Sequence, residues 1–111
     1  MISITFWFGN QIVEVRIIGK DIYFAEVRGA RAIFVPIERL RLSVSGILKE
    51  FPDLEGYSDE DVKREGIKRF KEKINKMNSE EEIAEYIIKD LKRYGYIPKI
   101  YKKDGFRPTI L

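Results

Sequence analysis

Basic and aromatic side chains interleave in the segment 89–107. Seven lysines and arginines stand there against two acids, Asp90 and Asp104. Because cations hold phosphate groups and ring faces accept unstacked bases, this mixture is typical of proteins that bind single-stranded nucleic acid. We predict that contacts to single-stranded DNA or RNA come from Lys99, Tyr101, Lys102, Lys103, Phe106 and Arg107.

A smaller basic tip accompanies this segment. Arg28 and Arg31 flank the predicted turn Gly29-Ala30, where they could add a phosphate contact, although the same pattern is typical of an ordinary hairpin turn. The segment 89–107 also has a structural interpretation, in which its rings pack onto the core and its lysines keep an edge strand soluble. Both interpretations remain open at the level of the sequence.

Other chemistry has little support in the residue types. The chain has no histidine and no cysteine, which excludes zinc fingers, redox dithiols and nucleophiles that depend on histidine or cysteine. Asp53, Asp61 and Lys63 superficially match the carboxylate–lysine pattern of Mg²⁺-dependent nucleases, but Asp61 falls at a predicted helix start. We therefore predict no catalytic residue, metal site or cofactor, favour a non-enzymatic protein, and keep a Mg²⁺-dependent nuclease as a distant alternative.

Two large aromatic residues predict an interaction surface. Trp7 and Phe24 are expected to share the outer face of the sheet, where they would form an exposed apolar patch. The alternative is that they belong to a second core layer. Short strands also leave edges with which a second copy could pair. A protein-interaction or assembly module, forming a homodimer through the sheet face or edge, is thus the second functional hypothesis after nucleic-acid binding.

The elements that must position these residues begin with strands. Apolar and polar residues alternate with period two through residues 1–45, and turns interrupt the alternation at Gly9-Asn10, Gly19-Lys20-Asp21 and Gly29-Ala30. This pattern predicts an antiparallel meander of four or five strands.

The segment after Pro36 is ambiguous between strand and helix. A helix would turn Leu42 towards solvent, and the residues Ser43–Gly46 are weak helix formers. We therefore favour a fifth strand over roughly 38–45, followed by a single helical turn up to Phe51-Pro52.

Two helices follow with clearer signals. Ser58 and Ser79 are predicted N-caps, and Glu82 completes a capping box with Ser79. An apolar stripe recurs in each helix at spacings of three and four, so each helix must bury one face. The stripes are Ile67, Phe70, Ile74 and Met77 in the first helix and Ile83, Ala84, Ile87, Ile88, Leu91 and Tyr94 in the second. Gly95 marks the end of the second helix, and residues 96–111 have the outline of a hairpin.

These elements predict one α+β domain over residues 1–111. An N-terminal antiparallel β-meander of four or five strands is packed by two antiparallel helices and followed by a C-terminal extended segment or hairpin. Sheet topology and closure stay open.

The composition sets the environment that we expect for the protein. Charged residues make up 35% of the chain while the thermolabile amides are few, which is typical of a protein from a hyperthermophilic archaeon or its virus. No apolar run approaches the roughly 20 residues that span a bilayer. The apolar stretch Met1–Phe8 lacks a basic leader. We therefore expect a cytoplasmic protein without a membrane partner.

Overall fold

An antiparallel sheet with helices packed on one of its faces makes up the fold. The computed structural model describes residues 1–37 and 43–111, and its elements run in chain order from five strands through three α-helices to two further strands. The predicted α+β class is confirmed, with a meander in the N-terminal part and a hairpin in the C-terminal part.

Three long strands form the meander, as the period-two pattern predicts. They are β1 (Ile2–Phe8), β2 (Gln11–Ile18) and β3 (Asp21–Arg28). Tight turns join them, and each turn begins with a glycine at positive φ, 57° at Gly9 and 62° at Gly19. Glycine suits these positions because it adopts the left-handed backbone conformation of tight hairpin turns without steric cost.

The remaining strands extend the sheet at both edges. They are β4 (Arg31–Ala32), β5 (Val35–Pro36), β6 (Ile97–Lys103) and β7 (Thr109–Ile110). The order across the sheet is β4-β3-β2-β1-β6-β7, with β5 also paired to β3. Every pairing is antiparallel. β1 is therefore an interior strand, with β2 on one side and the distant segment β6 on the other.

Each α-helix begins after a serine. The helices are α1 (Val44–Glu50), α2 (Asp59–Asn75) and α3 (Glu80–Arg93), with a 3₁₀ turn at Pro52–Leu54. The two predicted N-caps are confirmed, because the Asp61 N–H donates to Ser58 Oγ at 3.2 Å and the Glu82 N–H donates to Ser79 Oγ at 3.1 Å. Within residues 1–37 and 43–111, none of the helices combines the length and apolar composition needed to cross a membrane.

The strand favoured over 38–45 is wrong at its C-terminal end, where α1 begins. Ser43 caps this helix, because its Oγ accepts a hydrogen bond from the Gly46 N–H at 3.2 Å. Capping and packing thus outweigh the weak helix propensity of the first residues of α1. The helix is seven residues long, which exceeds the single turn predicted. Residues 38–42, the rest of that predicted strand, lie outside the described residues.

One face of the sheet forms the main core. On β1, Ile2, Ile4 and Phe6 are fully buried, and burial of each such side chain contributes about 1.5–3 kcal/mol. They pack against alternate residues of β2 and β3 and against the apolar stripes of α2 and α3. This confirms the predicted stripes except for Ile67 and Tyr94, which are partly buried and lie outside the main core. The buried partners are Val13, Val15, Ile17 and Ile22 on the sheet, and Phe70, Ile74, Ile83, Ala84, Ile87 and Leu91 on the helices.

A second, smaller apolar cluster lies between α1, the 3₁₀ turn and the start of α2. Its buried residues are Ile47, Leu54 and Val62. Two glycines allow the close approach of α1 to its neighbours. A Cβ atom on Gly46 would lie 1.9 Å from Cε1 of Tyr94, and one on Gly66 would lie 2.8 Å from Cγ2 of Ile47. α1 is thus fitted closely both to α2 and to the C-terminal end of α3.

Substitution of Gly46 by alanine is expected to destabilise the protein. Alanine in a helix ordinarily stabilises it by about 0.5–1 kcal/mol relative to glycine. Here the new methyl group would overlap the Tyr94 ring, and overpacking of this kind costs about 1–3 kcal/mol. Urea unfolding of Gly46→Ala measures the change. In a Tyr94→Ala background the same substitution should be less harmful, and a stabilising Gly46→Ala in the wild-type background would contradict the close packing.

Candidate functional site: the open face of the sheet

The side chains that alternate with the core residues form a second face of the sheet, on the side away from the helices, here called the open face. Ile12, Trp7 and Ile97 lie side by side on it, because Trp7 is the register partner of both isoleucines. Val27 extends the line onto β3 as the partner of Ile12. Trp7, Ile12 and Ile97 are 49%, 43% and 55% exposed. These four residues are called the apolar row below.

Two further isoleucines widen the apolar surface next to this row. Ile100 on β6 and Ile110 on β7 are register partners, and both are exposed. Ile100 is also the partner of Thr5 on β1. The open face therefore carries apolar side chains from β3 to β7, in the apolar row and in the adjacent pair Ile100 and Ile110.

An irregularity in β6 brings a lysine to the apolar row. The register between β1 and β6 shifts between Thr5 and Phe6, which leaves Lys99 as an additional residue in β6. Its Nζ lies 4.9 Å from the centroid of the Trp7 ring, within the range of a cation–π interaction. The exposed Lys102, the partner of Ser3, lies on the same face.

The acidic group of the open face is compensated within the sheet. Glu14 Oε1 accepts hydrogen bonds from Ser3 Oγ at 2.7 Å and from Arg16 Nε at 3.3 Å. The guanidinium group of Arg16 also lies 4.1 Å from the centroid of the Phe34 ring. Lys99 and Lys102 form no ion pair with a described carboxylate, so these two ammonium groups give the face its positive charge.

The predicted nucleic-acid contacts divide between the two faces of the sheet. Tyr101 lies opposite Ile4 and packs, partly buried, against the main core, as the structural interpretation of this segment predicts. Burial raises the pKa of its hydroxyl above the usual value. Lys103 lies opposite Ile2 and forms an ion pair with Glu81 of α3, whose hydrogen bond raises the pKa of that lysine. Strand alternation separates these two residues from Lys102.

The other predicted contacts lie outside the centre of the open face. Phe106 and Arg107 are exposed in the connection between β6 and β7. Arg28 and Arg31 are register partners at the β3–β4 edge, and the Arg28 guanidinium donates to Glu26 at 3.1 and 3.3 Å. β3 and β6 are separated by two strands, about 14 Å at the usual spacing, so the basic tip and the C-terminal segment do not form one cluster.

The prediction that Trp7 and Phe24 share the outer face of the sheet is wrong. Trp7 lies on the open face, but Phe24 is the register partner of Val15 and points to the helix side. There it packs against the main core, with its ring 6.4 Å from that of Tyr96 in an edge-to-face arrangement. The local pattern of β3 is apolar on both faces, so it does not decide which residues are buried.

The carboxylates of the nuclease pattern are engaged by arginines. Both oxygens of Asp53 accept from Arg69, at 2.8 and 2.7 Å, and this hydrogen bonding lowers the pKa of Asp53. Asp61 is paired with Arg64 on the next turn of α2. A Mg²⁺ site needs carboxylate oxygens that face the cation, so this arrangement adds no support to the nuclease alternative.

The sequence interpretation missed the isoleucines of the open face. Alternation over 100–103 separates Ile100 and Lys102 from Tyr101 and Lys103, and this signal is present in the sequence. The partners of Ile97 and Ile100 on β1 are distant in sequence. Their position beside Trp7 therefore cannot be predicted from the sequence pattern of β6.

Neither a protein-family model nor a curated protein or solved structure matches the chain. A function must therefore be inferred from the surface geometry and chemistry of the described residues. The open face is the surface that brings together Trp7, Lys99 and Lys102 from the predicted site residues.

Adjacent aromatic residues on β1 provide a test of the two faces. Phe6→Ala should destabilise the protein by about 3–5 kcal/mol, because it leaves a cavity in the main core. Trp7→Ala should cost about 1 kcal/mol or less, the range of an exposed cross-strand contact. Urea unfolding followed by circular dichroism measures both, at a protein concentration low enough to avoid association. Equal losses would contradict the placement of Trp7 on the open face.

Proposed function

We propose that the protein is an interaction module that self-associates through the open face. The observation that carries this proposal is the apolar row, which crosses β3, β2, β1 and β6 without an intervening charge. Monomeric proteins rarely expose a contiguous apolar patch of large side chains, and such patches usually mark a binding surface.

A second copy of the chain is the partner that this surface fits. Two sheets can stack face to face about 10 Å apart, with the side chains of both inner faces interdigitating. A two-fold interface needs a patch that complements itself, and an apolar row meets this requirement. Glu14 is already paired with Arg16, so stacking would not leave this acid unpaired. The stem of Lys99 can cover Trp7 while its ammonium group reaches water.

Removal of the central ring is expected to abolish self-association. Trp7→Ser should shift the sedimentation equilibrium of the protein from dimer to monomer, because the middle of the apolar row is lost. Tyr57→Ser is the matched control, because this exposed ring lies in the loop before α2 and is not part of the sheet. A wild-type protein that stays monomeric at several hundred micromolar, or a Tyr57→Ser variant that dissociates as readily as Trp7→Ser, would contradict the proposal.

A second candidate function is the binding of single-stranded DNA or RNA. The Trp7 ring with Lys99 beside it supports this candidate, because stacking on an aromatic ring next to a phosphate-binding cation is how such proteins hold a strand. Lys102 on the same face and the exposed Phe106 and Arg107 would extend the contact. The isoleucines around Trp7 offer no ring face to a base, so we rank this function second.

Charge reversal on the open face tests the nucleic-acid candidate. Lys99→Glu/Lys102→Glu should abolish retention of an oligonucleotide or weaken it strongly. For single strands the logarithm of the affinity falls with that of the salt concentration, with a slope of about −0.7 per phosphate contact, so two lost contacts should reduce the slope by about 1.4. Lys68→Glu/Lys71→Glu makes the same charge change on the exposed side of α2 and should retain most of the binding.

The two candidates respond differently to these variants. Trp7→Ser should impair both, whereas Lys99→Glu/Lys102→Glu should impair nucleic-acid binding and leave the apolar row in place. Equal loss of affinity in the two lysine variants would indicate non-specific electrostatic attraction and count against a site on the open face.

A further inference from the structure

A buried polar cluster joins the three α-helices on the helix side of the sheet. Asp90 of α3 is buried, and the side chains of Glu50 and Asp90 are only 7% and 4% exposed. Asp90 occupies a position on the apolar stripe of α3, next to Leu91 and one turn after Ile87. Buried carboxyl groups are costly unless they are paired or protonated.

The two carboxyl groups share a cationic partner and have further partners of their own. Glu50 Oε1 accepts hydrogen bonds from the Tyr86 hydroxyl at 2.9 Å and from Lys73 Nζ at 3.0 Å. Arg93 Nη1 lies 3.5 Å from Glu50 Oε2 and 3.2 Å from Asp90 Oδ1. Because Glu50 and Asp90 both contact this one nitrogen atom, their carboxyl groups lie close together. Two buried carboxyl groups this close are costly to ionise together, and a proton on one of them allows a hydrogen bond between the two.

The surroundings place that proton on Asp90. Burial, followed by the hydrogen bond and the negative charge of Glu50, raises the pKa of Asp90 to about 7. Burial also acts to raise the pKa of Glu50, but hydrogen bonds from Asp90, Lys73 and Tyr86 bring it below its usual value. At a pH between these two pKa values, the pair therefore holds one proton and one negative charge.

This pair lies where α1 meets α3. The apolar contacts of α1 belong to the smaller cluster around Ile47, which is distinct from the main core. The links of α1 to α3 and its C-cap are the fit of Gly46 against the Tyr94 ring and the polar contacts of Glu50 with Tyr86, Arg93 and Asp90. A seven-residue helix is not stable by itself, so its attachment depends on these contacts.

We propose that Glu50 and Asp90 form a proton-binding site that holds α1 against α3, and that α1 loosens as the shared proton is lost. The titratable and charged groups facing Asp90 are Glu50 from α1, Lys73 from α2, and Tyr86, Arg93 and Tyr94 from α3 and its C-cap. Lys73 and Arg93 are partly exposed, so water screens the compensation they give to a second carboxylate.

The direction of the pH dependence follows from the shift at Asp90. With α1 attached to α3, the pKa of Asp90 is higher than its ordinary value of 3.8. The closed structure, in which α1 is attached, therefore binds the proton more tightly than the open structure, in which α1 has detached. The resulting stabilisation is complete below about pH 4 and is lost as the pH rises towards 7. Glu50 opposes this trend only at low pH, because its pKa lies below its ordinary value. The attachment of α1 should therefore weaken between pH 5 and 7.

Hydrogen exchange of α1 amides measures this attachment in the intact chain. The amides of Ile47 and Phe51 are hydrogen-bonded to carbonyl groups at 3.1 and 2.7 Å and report the closed helix. After correction for the intrinsic exchange rate, their protection should fall by up to tenfold for each pH unit between 5 and 7 and level off above 7. Amides in the middle of α3 should not follow this profile. Protection of Ile47 and Phe51 that changes less than twofold from pH 5 to 8 would overturn the proposal.

Two variants separate Asp90 from acids elsewhere. Asp90→Asn keeps a hydrogen-bond donor to Glu50 but cannot ionise, so protection of α1 should become independent of pH. Asp104→Asn removes an exposed carboxylate and should retain the wild-type profile. A wild-type profile in Asp90→Asn would contradict the proposal. The carboxyl-carbon chemical shift of Asp90 in the unmodified protein gives an independent reading, and a titration midpoint near 4 would also reject it.

Discussion

The burial of Ile2, Ile4 and Phe6 on one side of β1 is the constraint on which the rest of the structure depends. β1 is hydrogen-bonded to β2 and β6 along most of its length, so its alternation determines which residues of both neighbours face the helices. A shift of one residue would turn every side chain to the opposite face. Trp7 is exposed for this reason, since it cannot enter the core unless Phe6 leaves it.

The same constraint explains why function is proposed for the open face. α2 and α3 cover one side of the sheet, and no described helix packs on the other. Glu14 is compensated within the sheet by Arg16, whereas Lys99 and Lys102 pair with no described carboxylate. The apolar row is suited to a protein partner, and the lysine beside Trp7 is suited to a nucleic-acid strand.

Features that depend on neighbours in sequence could be predicted, and those that depend on distant partners could not. The caps at Ser58 and Ser79 and the helix stripes were predicted because each is local to one helix. Phe24 was assigned to the wrong face because β3 is apolar on both sides and only its register with β2 decides between them. The projection of Lys99 depends on a bulge against β1, which no local pattern reveals.

Asp90 shows an intermediate case. A carboxylate on the apolar stripe of α3 was visible in the sequence as an exception, but the identity of its partner was not, because Glu50 reaches it from α1. The weak helix propensity of Ser43–Gly46 favours a strand where α1 in fact begins. Tertiary contacts overrode that weak local preference, and the polar cluster is part of those contacts.

The pairing of β1 with β6 also has a consequence for synthesis of the protein. On the ribosome, the meander emerges long before β6, so the edge of β1 that pairs with β6 stays free until β6 has also left the exit tunnel. During that interval the vacant edge is a template for the same segment of another nascent chain. Rapid completion of translation, or a chaperone that shields this edge, would favour the correct intramolecular pairing over an exchanged strand.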